Sequence, residues 1–192
     1  MVDQLPEELR ALKTQLKAFI NEVVIPSEPE LMSEDANAER VAAELKTKAK
    51  EAGLWALGHP SEIGGGGLPF MDFVYLNEVI GRSHWGQWAV GSLSMQDSIM
   101  LHLYASDEQR ERFLKPLVAG EIYPSVGLTE PEVAGSDPTQ MQATAVLDGD
   151  EWVISGHKWF TSGANRAAFT TVFAITEPDA EKHNKFSSII VP

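Results

Sequence analysis

Cysteine is absent from the 192 residues. That absence excludes disulfides, thiolate catalysis and cysteine-ligated zinc. Basic residues are scarce: 15 Lys and Arg stand against 28 Asp and Glu, for a net charge of −13. Such a chain is poorly equipped to neutralise a phosphate backbone, so nucleic acid is not an expected partner. A local basic pocket for a nucleotide stays open. The five histidines, His59, His84, His102, His157 and His183, include no i,i+4 pair, and no metal site is expected. No G-x-S-x-G nucleophile elbow occurs, which removes the serine-hydrolase reading. No apolar run approaches the roughly 18 residues of a membrane-spanning helix. Met1–Arg10 carries neither an apolar signal core nor an Arg-rich amphipathic segment, so a cytoplasmic location without membrane span is expected.

What is present is enough apolar residue, 43%, to build a core and to make wholesale disorder improbable. Leu5, Leu9, Leu12, Leu16, Phe19, Ile20 and Val23 recur at steps of three and four, the pattern of an amphipathic helix that Pro26 should end. Glu28 to Glu39 is acidic and broken by Pro29, as in a solvated connector. Val41, Leu45, Ala49 and Ala52 mark a second helix that Gly53 should stop. The run Gly64–Gly67 has no strand before it and no Lys-Ser/Thr after it, so it reads as a structural turn, not a phosphate loop. Pro69 opens a helix with Phe70, Phe73, Val74, Asn77 and Ile80 on one face. Trp85 to Tyr104 reads as one further helix; Gly91, Ser92 and Ser94 in its middle serve either close packing or a ligand. Ser106 and Gln109 fit a capping box, and the helix they open is expected to be shortened by Pro116 and finished by Gly120.

The period then changes from 3.6 to 2. Met141, Ala143, Ala145 and Leu147 alternate with polar or small neighbours, Asp148-Gly149-Asp150 signals a turn, and Trp152 and Ile154 resume the alternation. Phe169–Ile175 and Phe186–Val191 are two more apolar strands. Helices first and strands second, without βαβ alternation, imply an α+β chain. An all-helical domain is expected over 1–121, then a mostly antiparallel β domain over 122–192. About 70 residues of β structure would bury little and leave open edges.

The most informative stretch runs from Val126 to Ser162. It opens V-G-L-T-E-P-E-V-A-G-S-D, from Val126 to Asp137, and closes G-H-K-W-F-T-S-G, from Gly156 to Gly163, around the expected hairpin. Thr129, Ser136, Thr161 and Ser162 supply hydroxyls. Gly127, Gly135 and Gly163 allow close backbone approach, and Trp159 supplies an aromatic plane. This set suits a planar heterocycle with several acceptors better than a metal or a bare phosphate. T-E-P-x-x-A-G-S-D followed by G-x-K-W-F-T resembles the flavin-binding core of the acyl-CoA dehydrogenases. P-S-E-I-G-G-G-G-L-P-F-M-D-F, Pro60 to Phe73, and S-D-E-Q-R-E-R-F-L-K-P-L-V-A-G-E, Ser106 to Glu121, resemble that family's helical segments.

The resemblance implies FAD as cofactor, an acyl-CoA substrate, an electron-transferring flavoprotein as acceptor and a homo-oligomeric assembly. It implies Leu128 and Thr129 on the pyrimidine side of the flavin, Trp159 against the ring, Thr161 at N5 and Ser136 near the CoA portion of the substrate. The plainer alternatives are strand threonines, a core tryptophan and a turn serine. Six residues separate Thr129 from Ser136, one more than in the common T-E-P-G-A-G-S form, which bears most on Ser136. The resemblance also implies a β domain incomplete at its C-terminal end and no catalytic base here, because the family carries further strands and takes the base from a C-terminal helical bundle. Glu130, beside Pro131, and Glu132, in the longer turn, are expected to lack neighbours that would fix them. Related flavin oxidases or monooxygenase-like proteins share these features, and a non-catalytic interaction module would keep the fold.

Overall fold

A computed structural model describes residues 5–33 and 35–192. The expectation for Met1–Arg10 falls partly outside the described residues, and so does Glu34 of the expected connector. The chain divides into two compact units, Met1–Glu121 and Ile122–Pro192.

The first unit is helical. Helix α1, Glu7–Phe19, buries Leu9, Leu16 and Phe19 on the predicted face. Pro26 does not end it. One π turn, Ile20–Val24, carries the helix into α2, Ile25–Leu31, with Pro26 in the first turn and Pro29 inside. In an α-helix a proline leaves a carbonyl unpaired and collides with it. Here the Ile25 N–H reaches back five residues to the Ile20 carbonyl, and Ser27 Oγ donates to the Val23 carbonyl at 2.9 Å. The bonding register has thus shifted by one residue where the ring enters. The same device recurs before Pro116, which likewise fails to shorten its helix. There the π turn Arg110–Leu114 joins α7, Asp107–Gln109, to α8, Lys115–Ala119. Both halves of the Ser106–Gln109 capping box form, and Gly120 closes α8 in the left-handed region. Glu28, expected in a solvated connector, instead accepts from Ser83 Oγ at 2.6 Å and from the His84 N–H at 3.1 Å.

Helix α3, Ala36–Glu51, is capped by Asp35, and α4, Phe70–Ile80, buries Phe73, Leu76, Val79 and Ile80. Between them the four glycines form a turn. A Cβ on Gly65 would lie 2.3 Å from the His59 carbonyl oxygen, so only glycine fits. The expected helix from Trp85 to Tyr104 is two helices, α5, Gly86–Ala89, and α6, Met95–Tyr104. They part at Gly91, whose φ is +69° and whose Cβ would sit 2.6 Å from the Trp55 ring. Close packing, then, accounts for that small residue. Trp55 donates from Nε1 to the Val118 carbonyl at 2.8 Å, and Lys46 and Lys50 donate to the carbonyls of Gly120 and Ala119. The exposed carbonyl end of α8 is thereby satisfied by three side chains, two of them cationic, as a helix C-terminus favours.

The second unit is a five-stranded mixed sheet: β1, Pro124–Gly127; β2, Thr144–Asp148; β3, Glu151–Ser155; β4, Phe169–Ile175; and β5, Phe186–Val191. The whole is α+β, as the change of period implied. The sheet is mixed, with antiparallel pairing the more extensive, as expected. The pairs β2–β3 and β4–β5 are antiparallel, while β4 takes β1 in parallel along residues 169–172 and β2 in parallel at Ile175. The physical reason is that β1 and β2 follow one another along a single edge of the central strand β4, pointing the same way. The hairpin β2–β3 turns at Gly149 and Asp150 as predicted, with Asp148 opposite Glu151 and Gly149 at φ +65°. Its expected core face is only half realised. Ala143 and Ala145 are buried, but Leu147 is 56% exposed, because β2 touches β4 only at Thr144 and the hairpin projects beyond it.

Candidate functional site

The two motif segments of the second unit lie side by side. Ser125 Oγ donates to the Ser162 carbonyl at 2.9 Å, the Trp159 N–H donates to the Thr129 carbonyl at 2.8 Å, and Lys158 Nζ donates to Glu130 Oε1 at 2.9 Å. As one segment advances the other retreats, so residues 125–130 and 158–162 run antiparallel. Gly156 makes this possible at the end of β3: a Cβ there would lie 2.5 Å from Ala143 Cβ, so the chain can cross β2 only without a side chain.

Glu130 is the anchor of the arrangement. It is 3% exposed, and its carboxylate accepts from the Gln142 N–H (2.7 Å), the Ala143 N–H (2.8 Å) and the Lys158 ammonium (2.9 Å), which also donates to the Leu128 carbonyl at 3.2 Å. Burial alone would raise the Glu130 pKa. The Lys158 bond and the two backbone N–H groups outweigh it and hold the carboxyl below its ordinary range. One carboxylate therefore ties together the loop after β1, the approach to β2 and the segment after β3. This corrects the expectation of an unfixed loop glutamate. Lys158 is the only Lys or Arg in the two motifs, but they hold three carboxylates, Glu130, Glu132 and Asp137, and only the fold selects Glu130 as its partner.

Glu132 is also fixed, though exposed. Its Oε1 lies 2.9 Å from His157 Nδ1, which places a proton on that nitrogen. The His157 ring stacks on Trp159 (centroids 6.4 Å, planes 18° apart), and Trp159 stacks on Phe160 (5.3 Å, 29°). Trp159 is 52% exposed within this chain, so its ring is not part of the core of the second unit. Phe160, 75% exposed at φ +55°, presents its ring beside it.

Of the predicted site residues, Leu128, Thr129 and Trp159 are brought together directly. Thr161 follows two residues after Trp159 on the same segment. Among the described residues the hydroxyls of Thr129 and Thr161 take part in no hydrogen bond, and both residues are half-buried. Ser136 is exposed in the turn after Gly135, where a Cβ on that glycine would be 3.4 Å from Thr129 Cγ2. The longer turn thus remains close to Thr129 without any bond from Ser136 to the other four. Asp137, next along, bonds Thr139 and Gln140 and opens the short helical turn Pro138–Gln140. No group of three or more potential metal ligands occurs among the described residues, and no helix there is long and apolar enough to cross a membrane.

Comparison with known proteins matches both units of the chain. A solved structure of a putative acyl-CoA dehydrogenase from Mycobacterium abscessus matches with a TM-score of 0.88 and 33% identity, over 97% of this chain and 50% of that one. Acyl-CoA dehydrogenase family member 10 of Mus musculus is 35% identical over 96% of this chain and 18% of its own length. The probable acyl-CoA dehydrogenase FadE2 of Mycobacterium tuberculosis is 34% identical over 94% of this chain and 46% of its own length. The chain thus spans about half the length, or less, of the curated relatives it matches. The model of the acyl-CoA dehydrogenase N-terminal domain matches residues 6–121, and that of the middle domain matches residues 125–192. With both units accounted for, the chain belongs to the acyl-CoA dehydrogenase family.

Proposed function

We propose that this chain supplies the flavin-facing part of an FAD-dependent dehydrogenase that introduces a Cα–Cβ double bond into an acyl-CoA thioester. The observation that carries the reading is the half-exposed Trp159 indole, whose backbone N–H is held to the Thr129 carbonyl, between two threonines whose hydroxyls have no partner among the described residues. A ring face and two free hydroxyls on one braced double segment fit the edge and face of an isoalloxazine. Bound FAD would supply the hydride acceptor. Leu128 and Thr129 would hold its pyrimidine side, Trp159 would pack against the ring and Thr161 would lie at N5. Donors fixed before the reaction stabilise the negative charge that develops on the ring. Ser136 faces the CoA portion of the substrate, and domain 122–192 is the flavin-binding part, with 1–121 as its helical companion.

The chain's own carboxylates do not serve as the base. The α-proton of a thioester needs a free, positioned acceptor, and the three donors on Glu130 occupy it. Proton removal is assigned to a carboxylate outside these 192 residues, reoxidation to an electron-transferring flavoprotein, and the working form to a homo-oligomer. The test is FAD binding with Thr161→Val. Loss of the hydroxyl should weaken reduced flavin more than oxidised flavin, since a bond to a charged acceptor contributes about 1.5–3 kcal/mol and one to a neutral acceptor about 1. FAD that neither binds nor raises the melting temperature of this chain or of a longer form carrying a C-terminal bundle would refute the reading.

A further inference from the structure

We propose that Glu132 and His157 form a clamp that sets the plane of the Trp159 indole; they are positioning residues. The inference rests on the flavin reading above and adds to it a device located in the longer T-E-P-E-V-A-G-S turn.

Glu132 belongs to the turn and His157 to the segment after β3, so the 2.9 Å contact closes a bridge across the mouth of the double segment. The imidazole is held on one edge by that carboxylate. One of its faces lies nearly parallel to the indole, 18° from it, and the indole lies 29° from the Phe160 ring. Trp159 therefore stands in a row of three rings. Its backbone is fixed by Thr129, but its side chain is 52% exposed, and the row is what opposes rotation about χ1 and χ2. A ring that must offer a flat face to a planar ligand gains affinity from such restraint, because less rotamer freedom is lost on binding. Among the described residues the charged group paired with His157 is Glu132. Neighbouring Lys158 turns its ammonium the other way, to Leu128 and Glu130. Loss of either partner frees the ring.

The experiment uses this chain labelled with 5-fluorotryptophan, the Trp159 resonance being assigned with Trp159→Phe. Glu132→Ala, which leaves all three rings in place, should shift and sharpen the Trp159 resonance, as an indole released to rotate does, and His157→Ala should do so further. In parallel, FAD affinity is read from flavin fluorescence. His157→Ala should weaken it about 2- to 10-fold, the range of one aromatic pair, Glu132→Ala should weaken it in the same direction, and His157→Phe, which keeps a ring but cannot bond Glu132, should recover only part of the loss. Both residues are exposed, so these variants retain the fold. A Trp159 resonance unchanged in Glu132→Ala overturns the clamp itself. A changed resonance with FAD affinity equal in wild type, Glu132→Ala and His157→Ala overturns its positioning role. A chain whose Trp159 resonance responds to Glu132→Ala but whose wild type binds no FAD, here and in a bundle-extended form, overturns the flavin reading and this inference with it.

Discussion

Replacing Glu130 should destabilise the second unit more than any exposed substitution near the site. In Glu130→Ala the N–H groups of Gln142 and Ala143 lose their acceptor, and Lys158, with 13% of its side chain exposed, loses its counter-charge. Each stranded buried donor costs about 1–3 kcal/mol, and removal of one partner of a buried ion pair costs about 3–5 kcal/mol. These overlap, so a total of about 3–5 kcal/mol is expected. Glu130→Gln keeps one carbonyl oxygen for one N–H but turns an amide NH2 toward another donor; about 2–4 kcal/mol is expected. Lys158→Met removes the bonds to Glu130 and to the Leu128 carbonyl but leaves the carboxylate with its two backbone donors, for about 1.5–3 kcal/mol. The order Glu130→Ala, then Glu130→Gln, then Lys158→Met is the signature of an acceptor that braces three segments. Urea titrations read the free energies, and hydrogen exchange at the Ala143 amide reads the local bond. There is also a pH signature. The folded-state pKa lies below the ordinary 4.5, so the contribution is present above that value and is lost as pH falls through the folded pKa. The acid limb of wild type should be steeper than that of Glu130→Gln. Glu130→Gln within about 0.5 kcal/mol of wild type, with unchanged Ala143 exchange, would refute the reasoning.

Three further outcomes are expected. His59 is fully buried, neither ring nitrogen has a hydrogen-bond partner among the described residues, and burial pushes its pKa below 6.5 against a smaller pull from the Ala56 carbonyl. Its contribution is complete above pH 6.5 and is lost as pH falls toward the folded pKa, by up to about 1.4 kcal/mol per pH unit; His59→Leu should remove that slope in urea midpoints between pH 7 and 5. Gly120→Ala, at φ +73° with Trp55 Cζ2 2.6 Å from the new methyl, should cost about 2–4 kcal/mol, whereas Gly149→Ala, at φ +65° with nothing within 4 Å, should cost only about 1. Trp159→Ala should lower FAD affinity while changing urea stability by less than about 1 kcal/mol, since the indole is 52% exposed.

Some of this protein was determined by local sequence alone. The apolar steps Leu9, Leu16 and Phe19, the Ser106–Gln109 cap, the Gly120 stop and the Asp148–Asp150 turn depend on neighbours within a few residues, and each stands in the structure as the pattern dictates. The motifs likewise disclosed the family, because residue identities at set spacings survive without coordinates. Tertiary structure decided the rest. Pro26 and Pro116 look like helix ends in any local window, yet each helix continues because burial on both sides favours a π turn over a break. Gly91 divides a helix because the distant Trp55 ring occupies the space a Cβ would need. The parallel pairing of β1 and β2 with β4 depends on long-range register that alternation does not encode. Glu130 shows the limit most clearly. Its sequence neighbours suggest an idle loop carboxylate, and only the fold brings Gln142, Ala143 and Lys158 to it, from 12, 13 and 28 residues away. Burial then makes the carboxylate depend on those donors, and the donors on it.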